Sequence, residues 1–165
     1  MNVYGVVGWK NAGKTTLMEK LVAEISGRGL TVSTVKHAHH AFDIDHEGKD
    51  SWRHRAAGAR EVLVCASQRW ALMSELRGLP EPPLSELLAQ LSPVDLVLVE
   101  GYKRDRHAKV EAWRAATGAP LIAREDPTVR AVASNDPVEG VALPLLPLDD
   151  AAAIADFILS DLGLR

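Results

Sequence analysis

Gly8-Trp9-Lys10-Asn11-Ala12-Gly13-Lys14-Thr15-Thr16 is the stretch that decides how this chain is read. It lies between an apolar run, Val3 to Val7, and a segment with apolar residues at helical spacing, Leu17, Leu21, Val22 and Ile25. Strand, glycine-bounded loop and helix in that order are the context in which the spacing G-x-x-x-x-G-K-[ST] makes a phosphate-binding loop. Gly8 and Gly13 let the backbone curl around an anion so that successive N–H groups point inward. The helix beginning near Gly13 adds its positive dipole end. Lys14 is placed to bridge the outer phosphates, and the Thr15 hydroxyl to take one position on Mg²⁺. The spacing requires neither Trp9 nor Lys10, and Trp9 reads as a cover over the loop. The plainer alternative is a glycine-rich turn that only joins a strand to a helix. A match lying directly after a strand, close to the first residue, speaks against it.

A chain of 165 residues suits a single domain able to bury its own core, expected here over residues 1–165. With 47% apolar and 25% charged residues it has the profile of a soluble globular protein. A net charge of −3 argues against nucleic acid as the main partner. The lone cysteine, Cys65, falls in the apolar run Val62–Ala66 and reads as a small buried hydrophobe, in keeping with a reducing cytoplasm. The first strand begins almost at once, so no secretory leader is expected. No apolar run approaches the roughly 20 residues of a membrane span.

After the first helix, Gly27 and Gly29 are stop signals, and Leu30 to Val35 reads as a second strand. Two strands joined by a helix form a βαβ unit with parallel strands, and ligands collect at the carboxyl ends of such strands. The segment after Val35 therefore faces the phosphates. It holds Lys36, His37, His39, His40, Asp43, Asp45 and His46, four of the six histidines in the chain. Three readings stay open: a nucleotide or substrate loop in which Lys36 and His37 face the outer phosphate, a transition-metal site, and a solvated loop.

A short helix follows over residues 50–59, with Ser51 as its cap and Arg53 and Arg55 on it, read as solvated. Glu61 to Ala66 and Arg69 to Met73 read as a hairpin forming an antiparallel edge to the sheet. Leu84, Leu87, Leu88 and Leu91 mark a core stripe on another helix. Asp95 to Glu100 then reads as a central parallel strand, Asp95 ending a turn before it. An acid at such a carboxyl end is where a phosphate-loop protein orders Mg²⁺ or its water shell, so Glu100 is the second metal candidate.

These segments together carry a family resemblance: the loop with Asn11 inside it, Val35-Lys36-His37-x-His39-His40, Phe42-Asp43-x-Asp45, Gly48-Lys49-Asp50-Ser51, Ala57-Gly58-Ala59 and Leu98-Val99-Glu100-Gly101-Tyr102-Lys103. In order and spacing they resemble the B protein of molybdopterin-guanine dinucleotide biosynthesis, the MobB family, over essentially the whole chain. The resemblance implies a dimeric GTP-binding protein with weak GTPase activity at most. It further implies an adaptor to the guanylyltransferase that attaches GMP to molybdopterin. By the same carry-over, Gly8, Trp9, Lys10, Asn11, Ala12, Gly13, Lys14, Thr15 and Thr16 hold the phosphates, and Lys36, His37 and Lys103 line the site. Lys14 and Lys36 are then the candidate catalytic cations.

Lys109 to Trp113 alternates and is expected at the sheet edge or in a dimer contact; Trp52, Trp70 and Trp113 are candidate interface or core aromatics. Leu121 to Ala123 and Val129 to Ala133 read as two further short strands. In the turn that follows, Asp136 is a candidate acceptor for guanine N1 and N2, although the N-K-x-D signature is absent and a plain strand-end turn explains it equally. Asp149 is expected to cap a final amphipathic helix carrying Ile154, Phe157, Ile158 and Leu162. The fold expected is α/β: a mostly parallel sheet flanked by helices, with a phosphate-binding loop and a short antiparallel hairpin. Two functions besides the GTP-binding adaptor stay open, a metallochaperone GTPase using the histidine segment and a small-molecule kinase holding its substrate between Lys36 and Arg53.

Overall fold

The computed structural model describes residues 1–38 and 42–164. The chain divides into two compact units, Met1–His37 with Leu87–Arg165, and Ala38–Glu86. In chain order the strands are β1 (Asn2–Val7), β2 (Val32–Lys36), β3 (Glu61–Cys65), β4 (Trp70–Ser74), β5 (Leu96–Glu100), β6 (Lys109–Ala112), β7 (Val129–Ala133) and β8 (Leu145–Leu146). The helices are α1 (Lys14–Gly27), α2 (Asp50–Ala56), α3 (Leu84–Leu88) and α4 (Ala151–Asp161).

The first unit is built on a six-stranded sheet in the order β2-β5-β1-β6-β7-β8, with every pairing parallel. Alternation assigns its side chains to two faces. Tyr4, Val6, Leu96, Leu98, Val110, Ala112, Ala131 and Ala133 join Leu17, Leu21 and Ile25 of α1 and Ile154, Ala155 and Ile158 of α4 in one buried core. The Tyr4 hydroxyl donates to Asp161 at the far end of α4, and burial together with that carboxylate pushes the phenol far above its usual pKa. The other face carries Val7, Val97, Val99, Lys109, Glu111 and Val132, all fully buried.

Several elements differ from the sequence reading. Lys109 to Ala112 is not an edge strand but lies between β1 and β7, because its two polar residues find partners under cover. The Lys109 ammonium donates to the Asp105 carbonyl and the Thr128 hydroxyl and pairs with Asp126 at 3.3 Å. The Glu111 carboxylate accepts the backbone N–H groups of Ile122 and Ala123, both at 2.8 Å. That capping turns Ile122–Arg124 into a 3-10 turn where a strand is expected. Asp150, not Asp149, caps α4 by accepting the Ala153 N–H, while Asp149 accepts from the Asn135 side chain. Asp95 accepts the backbone N–H and hydroxyl of Thr31, fastening the start of β2 beside β5.

The second unit holds α2 and a sheet of its own, the antiparallel pair β3–β4, so the hairpin is not an edge of the main sheet. Leu63 faces Leu72 and Cys65 faces Trp70 across the ladder, and all four are exposed on one face; Cys65 is therefore not a core residue. Arg55 is not solvated either. Its guanidinium meets Asp43 and Glu75, each at 2.8 Å, and Asp45 at 3.4 Å. Helix α2 begins at Asp50 behind Lys49, and the Ser51 hydroxyl donates to Asp45 rather than capping the helix.

Candidate functional site

The loop between β1 and α1 takes the shape that its glycines permit. Gly13, the residue before α1, has φ +96°, and Gly8 has φ +150°. A Cβ on Gly8 would come within 2.4 Å of the Ala112 carbonyl oxygen, so β6 packs against the loop backbone where no side chain fits. Asn11 is left-handed at φ +65°, a conformation asparagine accepts more readily than most residues. Lys10, Asn11, Thr15 and Thr16 are exposed, and Ala12 is buried beneath the loop. The Lys14 ammonium folds back over it and donates to the Trp9 carbonyl at 2.8 Å.

Parallel register brings three strand ends together beside the loop, with Glu100 opposite Val6 on one side and Lys36 on the other. Glu100 is only 9% exposed. Its Oε1 accepts from the Thr15 hydroxyl at 3.4 Å, and its Oε2 lies 3.7 Å from the Lys36 ammonium. Two oxygen-bearing side chains at the head of α1 form a donor set that suits a hard divalent cation such as Mg²⁺. His37 follows with its N–H on the Glu100 carbonyl and its ring 4.7 Å from that of Tyr102. Gly101 at φ +93° makes this approach possible, since a Cβ there would sit 3.0 Å from the His37 Cβ.

Trp9 is held rather than merely draped over the loop. Its indole N–H donates to the Pro120 carbonyl at 2.7 Å, and the Lys103 ammonium lies 3.8 Å from the ring centroid. Burial, and then the charge of Lys36, lowers the pKa of Lys14, against the pull of Glu100. Burial, and then Lys14, likewise lowers that of Lys103. Ammonium groups that each disfavour the other's charge are relieved by a polyanion placed beside them.

The structure thus brings together the residues of 8–16 with Lys36, His37, Glu100 and Lys103. Asp136 makes none of these contacts; it follows β7, where its carboxylate accepts the Ala115 N–H at 2.8 Å and holds the turn after β6. His39 and His40 lie outside the described residues. Among the described residues, no group of three or more His, Cys, Asp or Glu side chains could hold a metal ion. The sequence reading missed Arg114, whose Nε and Nη2 lie 3.4 Å from the position a Cβ on Gly13 would take. No motif marks it, and only the neighbouring of β1 and β6 reveals it.

The family model described as molybdopterin guanine dinucleotide synthesis protein B matches residues 3–135. The molybdopterin-guanine dinucleotide biosynthesis adapter protein of Haemophilus influenzae is 42% identical over 157 residues, covering 93% of this chain and 85% of that protein. Its namesake in Escherichia coli is 40% identical over 92% of this chain and 87% of its own length. The crystal structure of a MobB homologue from Bacillus stearothermophilus superimposes over the full length of both chains with a TM-score of 0.74 at 34% identity.

Proposed function

The chain belongs to the molybdopterin guanine dinucleotide synthesis protein B family, and from that premise we propose that it is a GTP-binding adaptor in molybdenum cofactor biosynthesis. It assists the guanylyltransferase that converts molybdopterin to molybdopterin-guanine dinucleotide. The observation that carries the nucleotide reading is the convergence of Lys14, Lys36, Thr15 and Glu100 on a loop where Gly8 leaves no room for a side chain and Gly13 is left-handed at φ +96°. Residues 8–16 cradle the phosphates, Lys36, His37 and Lys103 add charge and hydrogen-bonding capacity around them, and Thr15 with Glu100 holds Mg²⁺. The bound cation would supply charge neutralisation for the outer phosphates. Asp136 acts at the base end of the site. Lys14 and Lys36 would stabilise charge during hydrolysis, and slow turnover is expected because no sequence motif marks a glutamine that would orient water.

The protein works as a cytoplasmic homodimer in this reading. No described helix is long and apolar enough to cross a membrane. The exposed face of Leu63, Leu72 and Trp70 supports a second copy as its cover, because a two-stranded sheet with one bare apolar face is marginal by itself. The test is a reconstituted guanylyltransferase reaction with and without this protein. Wild-type protein with GTP raises the yield of the dinucleotide cofactor and Lys14→Ala does not. Equal yields from both would reject the nucleotide-dependent adaptor.

A further inference from the structure

The two flanks of the loop are chemically unlike. Toward β5 and β2 lie Thr15, Glu100 and Lys36, an oxygen set with a compact cation, which suits a metal-bound phosphate chain. Toward β6 and β7 lie Arg114 and Asp136, a flat guanidinium and a carboxylate. A nucleotide gripped by its phosphates has its metal-bound end on the first flank, so its nucleoside leaves by the second.

Arg114 is presented there by backbone that is tied down on both sides. Its own carbonyl accepts the Thr117 hydroxyl at 2.8 Å, and the next residue, Ala115, donates its N–H to Asp136 at 2.8 Å. The Trp113 indole donates to the Ala119 carbonyl at 3.0 Å, closing the turn. The side chain is exposed, and among the described residues its guanidinium has no hydrogen-bond or ion-pair partner. The fixed backbone thus presents an unpartnered planar cation 3.4 Å from where a Gly13 Cβ would lie, within reach of a planar ligand at the mouth of the loop.

We propose that Arg114 is a nucleotide-binding residue that stacks its guanidinium on the nucleobase of the bound nucleotide. Asp136 positions it by holding the turn. This rests on the reading of residues 8–16 as a nucleotide site. A compact ammonium brings charge but no planar face to lie flat on a base, so this contact favours arginine over lysine.

The test is calorimetric titration of GTP and, separately, inorganic tripolyphosphate, each with Mg²⁺, into wild type, Arg114→Ala, Arg114→Lys and Lys14→Ala. Arg114→Ala weakens GTP binding by about tenfold or more, the scale of one shielded cation–π contact, and changes tripolyphosphate binding by less than about twofold. Arg114→Lys restores little of the GTP affinity, while Lys14→Ala loses both ligands. Equal weakening of GTP and tripolyphosphate by Arg114→Ala would make Arg114 a phosphate contact and overturn the proposal, as would no weakening of either. If wild type binds neither ligand, the nucleotide reading itself fails, and this inference fails with it.

Discussion

Leu96-Val97-Leu98-Val99-Glu100 and Glu61-Val62-Leu63-Val64-Cys65 are nearly the same run of apolar residues, yet every residue of the first is buried and only Val62 of the second. The first is β5, with a parallel neighbour on each side. The second is β3, with a single antiparallel partner. Composition therefore sets β propensity in both, and the number of neighbours decides how much apolar surface each hides. The six-stranded sheet closes its own core and presents Glu100 at a defined strand end. The hairpin leaves Leu63, Trp70 and Leu72 exposed.

Removing one side chain from each run sharpens this contrast most. Leu98→Ala lowers the unfolding free energy by about 3 kcal/mol through the cavity it leaves, whereas Leu63→Ala in dilute monomer costs less than about 0.5 kcal/mol. Urea denaturation of both variants checks it, and equal costs would break the comparison. A charge on the bare face tests what covers it. Leu63→Asp with Trp70→Asp moves the sedimentation profile from dimer to monomer while leaving the far-ultraviolet spectrum intact; an unchanged profile would remove the hairpin from the interface.

A smaller effect distinguishes the polar residues hidden in the sheet. Burial pushes the Glu111 carboxyl above the usual glutamate pKa of 4.5, so the native state keeps that proton to higher pH than the unfolded chain does. Its contribution is therefore most favourable at low pH and is lost as pH rises through the native value. Glu111→Gln removes this dependence, and urea midpoints move in favour of the variant as pH rises above the usual glutamate value of 4.5. A constant difference between variant and wild type above that value would contradict the assignment. The least effect on overall stability comes in the second unit. Arg55→Ala releases Asp43, Asp45 and Glu75, speeds limited proteolysis of residues 42–58, and leaves amide protection in β5 unchanged.

The parts of the fold and site that were legible are those in which neighbouring residues carry the whole signal. The loop of residues 8–16 is one continuous motif. Val97 to Glu100 announces a buried strand ending in an acid, and β2 with Lys36 follows by βαβ logic. What was not legible depends on partners far along the chain. Lys109 and Glu111 give β6 the alternation of a half-exposed edge, and only Asp126, Thr128 and the turn at Ile122 bury them. Arg114 was invisible for the same reason, since its approach to Gly13 follows from β6 lying beside β1. Trp9 showed no reason in its spacing for the indole anchor on Pro120.

In the proposed function, residues 8–16 with Lys14 bind the phosphates of a guanine nucleotide. Calorimetric titration of the purified protein with GTP and then ATP, each with Mg²⁺, tests it against Lys14→Ala. GTP is expected to bind more tightly than ATP, with both lost in the variant. ATP preference would contradict the guanine assignment, and binding that survives in Lys14→Ala would place the nucleotide somewhere other than this loop.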